Sequence, residues 1–438
     1  MRFERSHSRK AAVVAVAGSL ALLASACGGD DGGGGDTTGG GAKLEGRGPI
    51  TFATGKDTSG NLTNQVAAWN SQHPEEKVEV KELPESADQQ RQQMVQNAQA
   101  KSDAFSVLNL DVVWTAEFAA NRWVTELPED QFPDLGKLLP STLDTGKYRD
   151  KLYAVPVTSD GGLLYYRSDW LTKAGVQPPK TWAEMQAACA KVIALPEAKG
   201  ASCYAGQFEK YEGLTVNFSE AVNSAGGVVV GDDGKPNVDT PEALAGLQFL
   251  VDGFKNKTMP AAAITYKEEE GRRAFQEGKL VFHRNWPYVY ALAGKTDGSS
   301  KIAGKFAVAP LPGKDSPGVS TLGGHNYAIS EFTKNKATAA DFIKFMSSEE
   351  RQKANVEKTS QAPTWASLYD DPALNKQFPY LAPLKASIES AKSRPKVVKY
   401  GDVTTAVQAA AYDALTGKAE PKAALTDLQT KLSSLITQ

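Results

Sequence analysis

The stretch FHRNWPYVY, from Phe282 to Tyr290, carries Phe282, Trp286, Tyr288 and Tyr290, with Pro287 between Trp286 and Tyr288. A packed core could use these rings, and so could a pocket for something flat and hydroxylated. Trp offers a flat apolar face and tolerates polar groups beside it. Pro287 fixes the local turn. Trp286 and Tyr288 are therefore expected to be presented, and Phe282 and Tyr290 to be core. A second candidate is Asp111, inside the apolar run VLNLDVVW. A buried carboxylate is costly unless partnered, so an acid there points to a role. Ionised, it accepts hydroxyl hydrogen bonds in charge-assisted form.

Other chemistry lacks its residues. The histidines are His7, His73, His283 and His325, and none sits in HExxH. There is no CxxC pair for a zinc cluster and no GxSxG elbow. Gly294-Lys295-Thr296 ends like a phosphate loop but lacks the glycine five residues earlier. No metal, cofactor or catalytic residue is expected, although a glycosidase would need only two carboxylates. The formal net charge of −2 leaves no basic excess for nucleic acid.

The N-terminus is basic at Arg2, Arg5, Arg9 and Lys10, then apolar from Ala11 to Ala26. That pattern reads as a secretory signal over residues 1–26, too short to span a membrane. Leu23 to Cys27, LASAC, resembles a bacterial lipobox, which implies acylation, such as palmitate, at Cys27. The Gly-rich stretch that follows, within residues 27–48, is expected to be a flexible tether. Cys189 and Cys203 remain. An even count outside the cytoplasm suggests a disulfide, which would stabilise by roughly 3 kcal/mol.

The elements that must position these residues alternate. PITFATG, KVEVKEL and VLNLDVVW read as strands, with NLTNQVAAWNSQ helical between the first two through Leu62, Val66 and Trp69. Ser86 to Gln89 and Thr181 to Glu184 match capping boxes, and Thr240-Pro241 starts a helix. YAVPV, GGLLYYR, FAVAPLPG and HNYAIS return to strand character. ATAADFIKFMSSEERQKANVEK and most of the tail beyond Pro395 read as helical. This is an α/β chain of two lobes. Residues 49–158 plus about 304–365 are expected in one lobe, and 159–303 plus about 366–438 in a more helical one. A lobe interrupted by the other implies several crossing segments, a hinge, and a cleft that closes on a ligand.

Six motifs carry a resemblance over essentially the whole body: TFATGKDTSG, LNLDVVWTAEFA, YAVPVTSDGGLLYYRSDW, QFEKYEGLTVN, FHRNWPYVY and TLGGHNYAIS. Together they resemble the solute-binding lipoproteins of ABC sugar importers, in the maltose-binding-like group, nearest the trehalose- and maltose-type proteins. The resemblance implies a two-lobe type II periplasmic-binding-protein fold and no enzymatic activity. It implies a di- or oligosaccharide ligand, an ABC permease as partner, and a monomer lipid-anchored at the outer face of a bacterial membrane. It implies hydroxyl acceptors at Asp57 and Asp111, a polar crossing residue at Asp160, and an acidic contact at Glu268. Trp286 and Tyr288 match its aromatic platform. Gly323 and Gly324 match a pair whose bare backbone admits the ligand, and Arg394 matches a donor to the sugar. His325 stands where this type often has an aromatic. Plainer roles stay open: Asp57 could cap a helix, Arg394 could pair with a surface acid, and Glu268 to Glu270 could be a solvated face. Tyr211 and Gln207 could contact the ligand or pack the lobe. A surface-anchored glycoside hydrolase, and the same fold with a non-sugar polar cargo, are the alternatives.

Overall fold

The structure is a computed structural model that describes residues 44–57 and 60–436. The expected signal, Cys27 and most of the tether lie outside the described residues. The strands in chain order are β1 (Ile50–Thr54), β2 (Val78–Glu82), β3 (Val107–Asp111), β4 (Lys147–Tyr148), β5 (Lys151–Leu152) and β6 (Ala154–Thr158). β7 (Leu163–Tyr166), β8 (Ser202–Ala205), β9 (Leu280–Asn285), β10 (Ala307–Ala309) and β11 (His325–Ile329) follow.

One sheet has the order β2-β1-β3-β11-β6, and a second has β10-β7-β9-β8. In the first, β1 runs parallel to β2 and β3, while β11 enters antiparallel between β3 and β6. Its core lies under the helix Lys336–Ser347, where Phe52 meets Tyr327 and Phe342 edge to face at 4.8 and 5.6 Å. Fully burying a side chain of this size contributes ~1.5–3 kcal/mol. Around the second sheet, the helices Glu212–Ser224, Pro241–Lys255, Tyr400–Leu415 and Pro421–Leu435 pack on one another.

Several local expectations are met in detail. NLTNQVAAWNSQ is the helix Asn61–Gln72, with Val66 and Trp69 buried and Leu62 half-buried. The Thr181 hydroxyl accepts the Glu184 N–H at 3.2 Å, and the Glu184 carboxylate accepts the Thr181 N–H at 3.2 Å. Thr240 caps its helix through the Ala243 N–H at 3.2 Å. Cys189, on the helix Trp182–Ile193, is disulfide-bonded to Cys203 on β8, with their Cα atoms 5.6 Å apart.

Others are corrected. The helix Ala87–Gln99 starts after Ser86, but Ser86 makes no side-chain cap; Asp88 turns away towards the other lobe. VLNLDVVW is strand only to Asp111, because the Asp111 carboxylate accepts the Val113 N–H at 3.2 Å and closes a turn. Val112, Val113 and Trp114 stay apolar because they pack the core from that turn. The long helical run breaks at Ser348, whose extended backbone separates Lys336–Ser347 from Glu349–Thr359. The end of the expected tether is docked: Arg47 pairs with Glu76 and Asp341, and the Gly48 N–H donates to Thr338. FAVAPLPG does not begin the return to the first lobe at about 304. Its strand β10 pairs antiparallel with β7 at the edge of the second sheet.

The chain passes between the sheets at Ser159–Gly162, again over residues 310–324, and again between the helices Glu349–Thr359 and Leu381–Ser390. Two of these crossings are zipped together. The Gly323 N–H donates to the Asp160 carbonyl at 2.8 Å, and the Asp160 N–H donates back to Gly323 at 3.1 Å.

Candidate functional site

A cavity of about 340 Å³ lies where the two sheets face each other across these crossings. All ten residues expected at a site line it: Asp57, Asp111, Asp160, Glu268, Trp286, Tyr288, Gly323, Gly324, His325 and Arg394. Tyr211 lines it as well. Gln207 does not. It is buried behind the wall, where it accepts from the Arg284 guanidinium at 3.0 Å and donates to the Arg284 carbonyl at 3.0 Å.

Trp286 follows β9 directly. Its N–H donates to the Asn285 side-chain oxygen at 2.8 Å, and its carbonyl accepts the Tyr165 hydroxyl at 2.8 Å. One face of the indole is taken by the Arg284 guanidinium, 3.8 Å from the ring centroid. Tyr288 donates its hydroxyl to Glu269 at 2.8 Å. Burial opposes ionisation of Glu269, but hydrogen bonds from Arg272 and Tyr288 hold its carboxyl below the usual range. Phe282 is fully buried, whereas Tyr290 is half-buried against Phe306 and Tyr380.

The acids face these rings. Asp57, after β1, accepts the Leu62 N–H at 3.0 Å, so the capping role is realised by a residue that also lines the cavity. Asp111, at the end of β3, accepts from Arg394 at 2.7 and 3.2 Å. Arg394 reaches Glu212 as well, at 2.5 Å. The acids that pair with Arg394, buried Glu212 and partly buried Asp111, belong to the cavity wall, not to the outer surface. Both terminal nitrogens of the donor expected for a sugar are spent on carboxylates. Glu212 also accepts from Tyr400 at 2.5 Å and Thr404 at 2.7 Å; burial pushes its carboxyl up to about 7, against the pull of Arg394.

Asp160 keeps a little surface on the cavity but lies deep beneath the molecular surface. Burial, reinforced by the charge of Asp111, raises its carboxyl to about 7. Its side chain has no hydrogen-bond or ion-pair partner among the described residues. Burial also raises Glu268, which faces the Tyr211 hydroxyl. Of the run Glu268 to Glu270, only Glu270 is on a solvated face, where it pairs with the exposed Arg273; Glu269 is buried and Glu268 lines the cavity. Burial lowers the His325 imidazole, which keeps it neutral near pH 7.

The glycine pair serves the protein's own packing. A Cβ on Gly323 would sit 2.9 Å from the Trp286 ring. Gly324 has φ of +113°, and a Cβ there would lie 2.2 Å from the Thr158 carbonyl oxygen. Both line the cavity, but the room they provide is for an indole and a crossing strand.

Glu212, Glu220 and Arg284 were not singled out from the sequence. The signal was present in part. Arg284 follows the apolar run Leu280–Phe282 in a strand, and a buried Arg there requires an acid. Which acid supplies the partner is a matter of tertiary contact. Among the described residues, no group of His, Cys, Asp and Glu could hold a metal ion. No described helix is long and apolar enough to cross a membrane.

A family profile described as bacterial extracellular solute-binding protein matches residues 55–353. A probable ABC transporter-binding protein of Deinococcus radiodurans is 35% identical over 376 residues, covering 82% of this chain and 86% of its own length. The galactooligosaccharide-binding protein of Bacillus subtilis is 25% identical over 394 residues, covering 84% of this chain and 85% of its own length. The solved structure of maltose-bound T. maritima MalE3 is similar with a TM-score of 0.84 at 35% identity, covering 88% of this chain and 99% of that one. With its profile matched across most of the two-lobe body, the chain belongs to the family of bacterial extracellular solute-binding proteins.

Proposed function

We propose that this protein captures a trehalose- or maltose-like di- or oligosaccharide in the interlobe cavity and delivers it to the transmembrane subunits of an ABC importer. The observation that carries the reading is the opposition of two walls. Trp286 and Tyr288 form one, and carboxylates at the strand ends of the first lobe form the other. A sugar ring has an apolar C–H face for the indole and hydroxyls for the acids. The cavity, about 340 Å³, is at the small end of the ~300–1,000 Å³ typical of ligand sites, which favours a short saccharide. The maltose held by T. maritima MalE3 and the galactooligosaccharide named for the B. subtilis relative support a carbohydrate cargo. The protein acts as a receptor and not an enzyme. It works as a monomer at the outer face of the cell membrane, held there by acylation of Cys27.

The test is thermal shift of the body from Gly46 onward against trehalose, maltose, maltodextrins, other disaccharides and polyols. One α-linked disaccharide is expected to give a saturable rise. Trp286→Ala is expected to weaken that ligand by ~10-fold or more, the cost of about 1.4 kcal/mol of lost stacking. If no carbohydrate moves the transition, a different polar cargo must be sought.

One observation favours a second reading. Asp160, raised to about 7 beside Asp111, resembles the split carboxyl pair of a glycosidase. Long incubation with the disaccharide separates the two: a receptor returns it intact, and a hydrolase returns monosaccharides.

A further inference from the structure

The Arg284–Glu220 pair is buried and outside the cavity lining, and sugar contact alone gives it no task. Both side chains are nearly inaccessible, at 1% and 6%. Arg284 donates through Nε and Nη2 to the two Glu220 oxygens at 2.7 and 2.5 Å. Its remaining Nη1 donates to Gln207 at 3.0 Å. An apolar pair of equal volume would often stabilise such a site as well, because desolvating two charges offsets their attraction. The pair's geometry shows what an apolar pair could not do.

The same guanidinium that is held by Glu220 and Gln207 lies over the Trp286 ring, 3.8 Å from its centroid. Arg is suited to this because its planar fork can bind a carboxylate in plane and stack on a ring at the same time. Glu220 also grips the second crossing segment. It accepts the Thr321 N–H at 3.2 Å and the Ser320 hydroxyl at 3.3 Å. From the first crossing, a Cβ on Gly162 would meet Glu220 at 2.6 Å and Arg284 at 2.9 Å. Gly323, farther along the second crossing, abuts the outer edge of the Trp286 ring. The indole is thus referenced on two sides to the segments on which the lobes pivot.

We infer that Arg284 and Glu220 are positioning residues that hold Trp286 as a one-sided platform, register it to the two crossing segments, and leave a single ring face for the ligand. The inference rests on the reading of Trp286 as a sugar platform. Its consequence for the ligand is that Trp286 stacks on one sugar ring and is never sandwiched between two.

The variant that tests it is Arg284→Met with Glu220→Gln, which removes both charges together and keeps an acceptor for Ser320 and Thr321. It is made in the native background and in Trp286→Ala. The first arm needs no sugar: the near-ultraviolet circular dichroism band assigned to Trp286 by its loss in Trp286→Ala. That band is expected to collapse in the paired variant, while the far-ultraviolet spectrum is retained. An unchanged band overturns the inference. The second arm is affinity by titration calorimetry for the sugar with the largest thermal shift. The paired variant is expected to weaken binding by about tenfold with Trp286 present and to have little effect with Ala at 286, as coupled neighbours behave. An equal loss in both backgrounds, or none, overturns it. Arg284→Lys, which keeps the charge and loses the planar stack, is expected to behave like the paired variant. If the wild-type protein binds no sugar, the carbohydrate reading fails by itself, and the spectroscopic arm still decides the positioning claim.

Discussion

At the residue scale, the cavity carboxyls make stability depend on pH. Asp160 titrates near 7 in the folded protein, against about 4 when exposed in the unfolded chain. Between those values the folded state holds a proton that the unfolded state has released. Stability therefore falls as pH rises through this window. Asp160→Asn removes the effect. Its melting temperature should match the wild type at pH 4 and exceed it by at least ~2 °C at pH 8. Equal melting temperatures at both pH values would show that Asp160 is ionised without cost. Arg394 has the opposite weight, since its removal leaves buried Glu212 and partly buried Asp111 without their cation. Arg394→Met should cost ~3–5 kcal/mol in urea unfolding, and adding Asp111→Asn and Glu212→Gln should recover most of it. No recovery in the triple variant would mean that the loss is one of packing.

At the element scale, the disulfide ties the helix Trp182–Ile193 to the edge strand β8 across a sequence separation of 14. Replacing Cys189 and Cys203 by Ser should cost about 3 kcal/mol in denaturant unfolding, through freedom regained by the unfolded chain. A variant as stable as the oxidised wild type would refute that contribution. Helix starts show how far local chemistry reaches. The Thr181 box and the Thr240 cap form as their residues imply, because the partners are three residues away and nothing competes. The Ser86 box does not form. Ser86 makes no side-chain cap and its box partner Gln89 is exposed, while the neighbouring Asp88 accepts the Glu212 N–H at 3.1 Å and the Gln408 amide at 3.4 Å, contacts remote in sequence. The apolar run through Trp114 misled in the same way. Hydrophobicity marks those residues as buried, and it cannot distinguish a strand from a buried turn.

For the whole molecule, contacts between the lobes include Asp88 on the first-lobe helix Ala87–Gln99, Arg394 between Asp111 and Glu212, and the Lys396–Asp144 ion pair. Removing the first of these contacts should loosen closure without unpairing a charge. Asp88→Ala with Gln408→Ala should raise the sugar-free radius of gyration by more than ~0.5 Å from the ~21 Å expected for a compact chain of this size. Saturating sugar should reverse the change, because a ligand that contacts both walls favours the closed state. A radius that does not move in solution scattering would show that the Asp88–Gln408 contact does not hold closure.

The alternation of strand and helix and the two lobes with crossing segments were legible in the sequence, and the ten residues that line one cavity were reached mainly through the resemblance of its motifs to a known family. Strand character, helix periodicity and motif spacing are carried by neighbours along the chain. The tertiary structure alone decided the partners. It tied Arg394 to two acids and Arg284 to Glu220, gave the glycine pair to an indole and a strand, and sent β10 to the second sheet. The physical reason is the same in each case. A buried charge or a close backbone approach is settled by whichever group is nearest in space. Here those groups stand tens to hundreds of residues away, as Arg394 and Asp111 do across 283 positions.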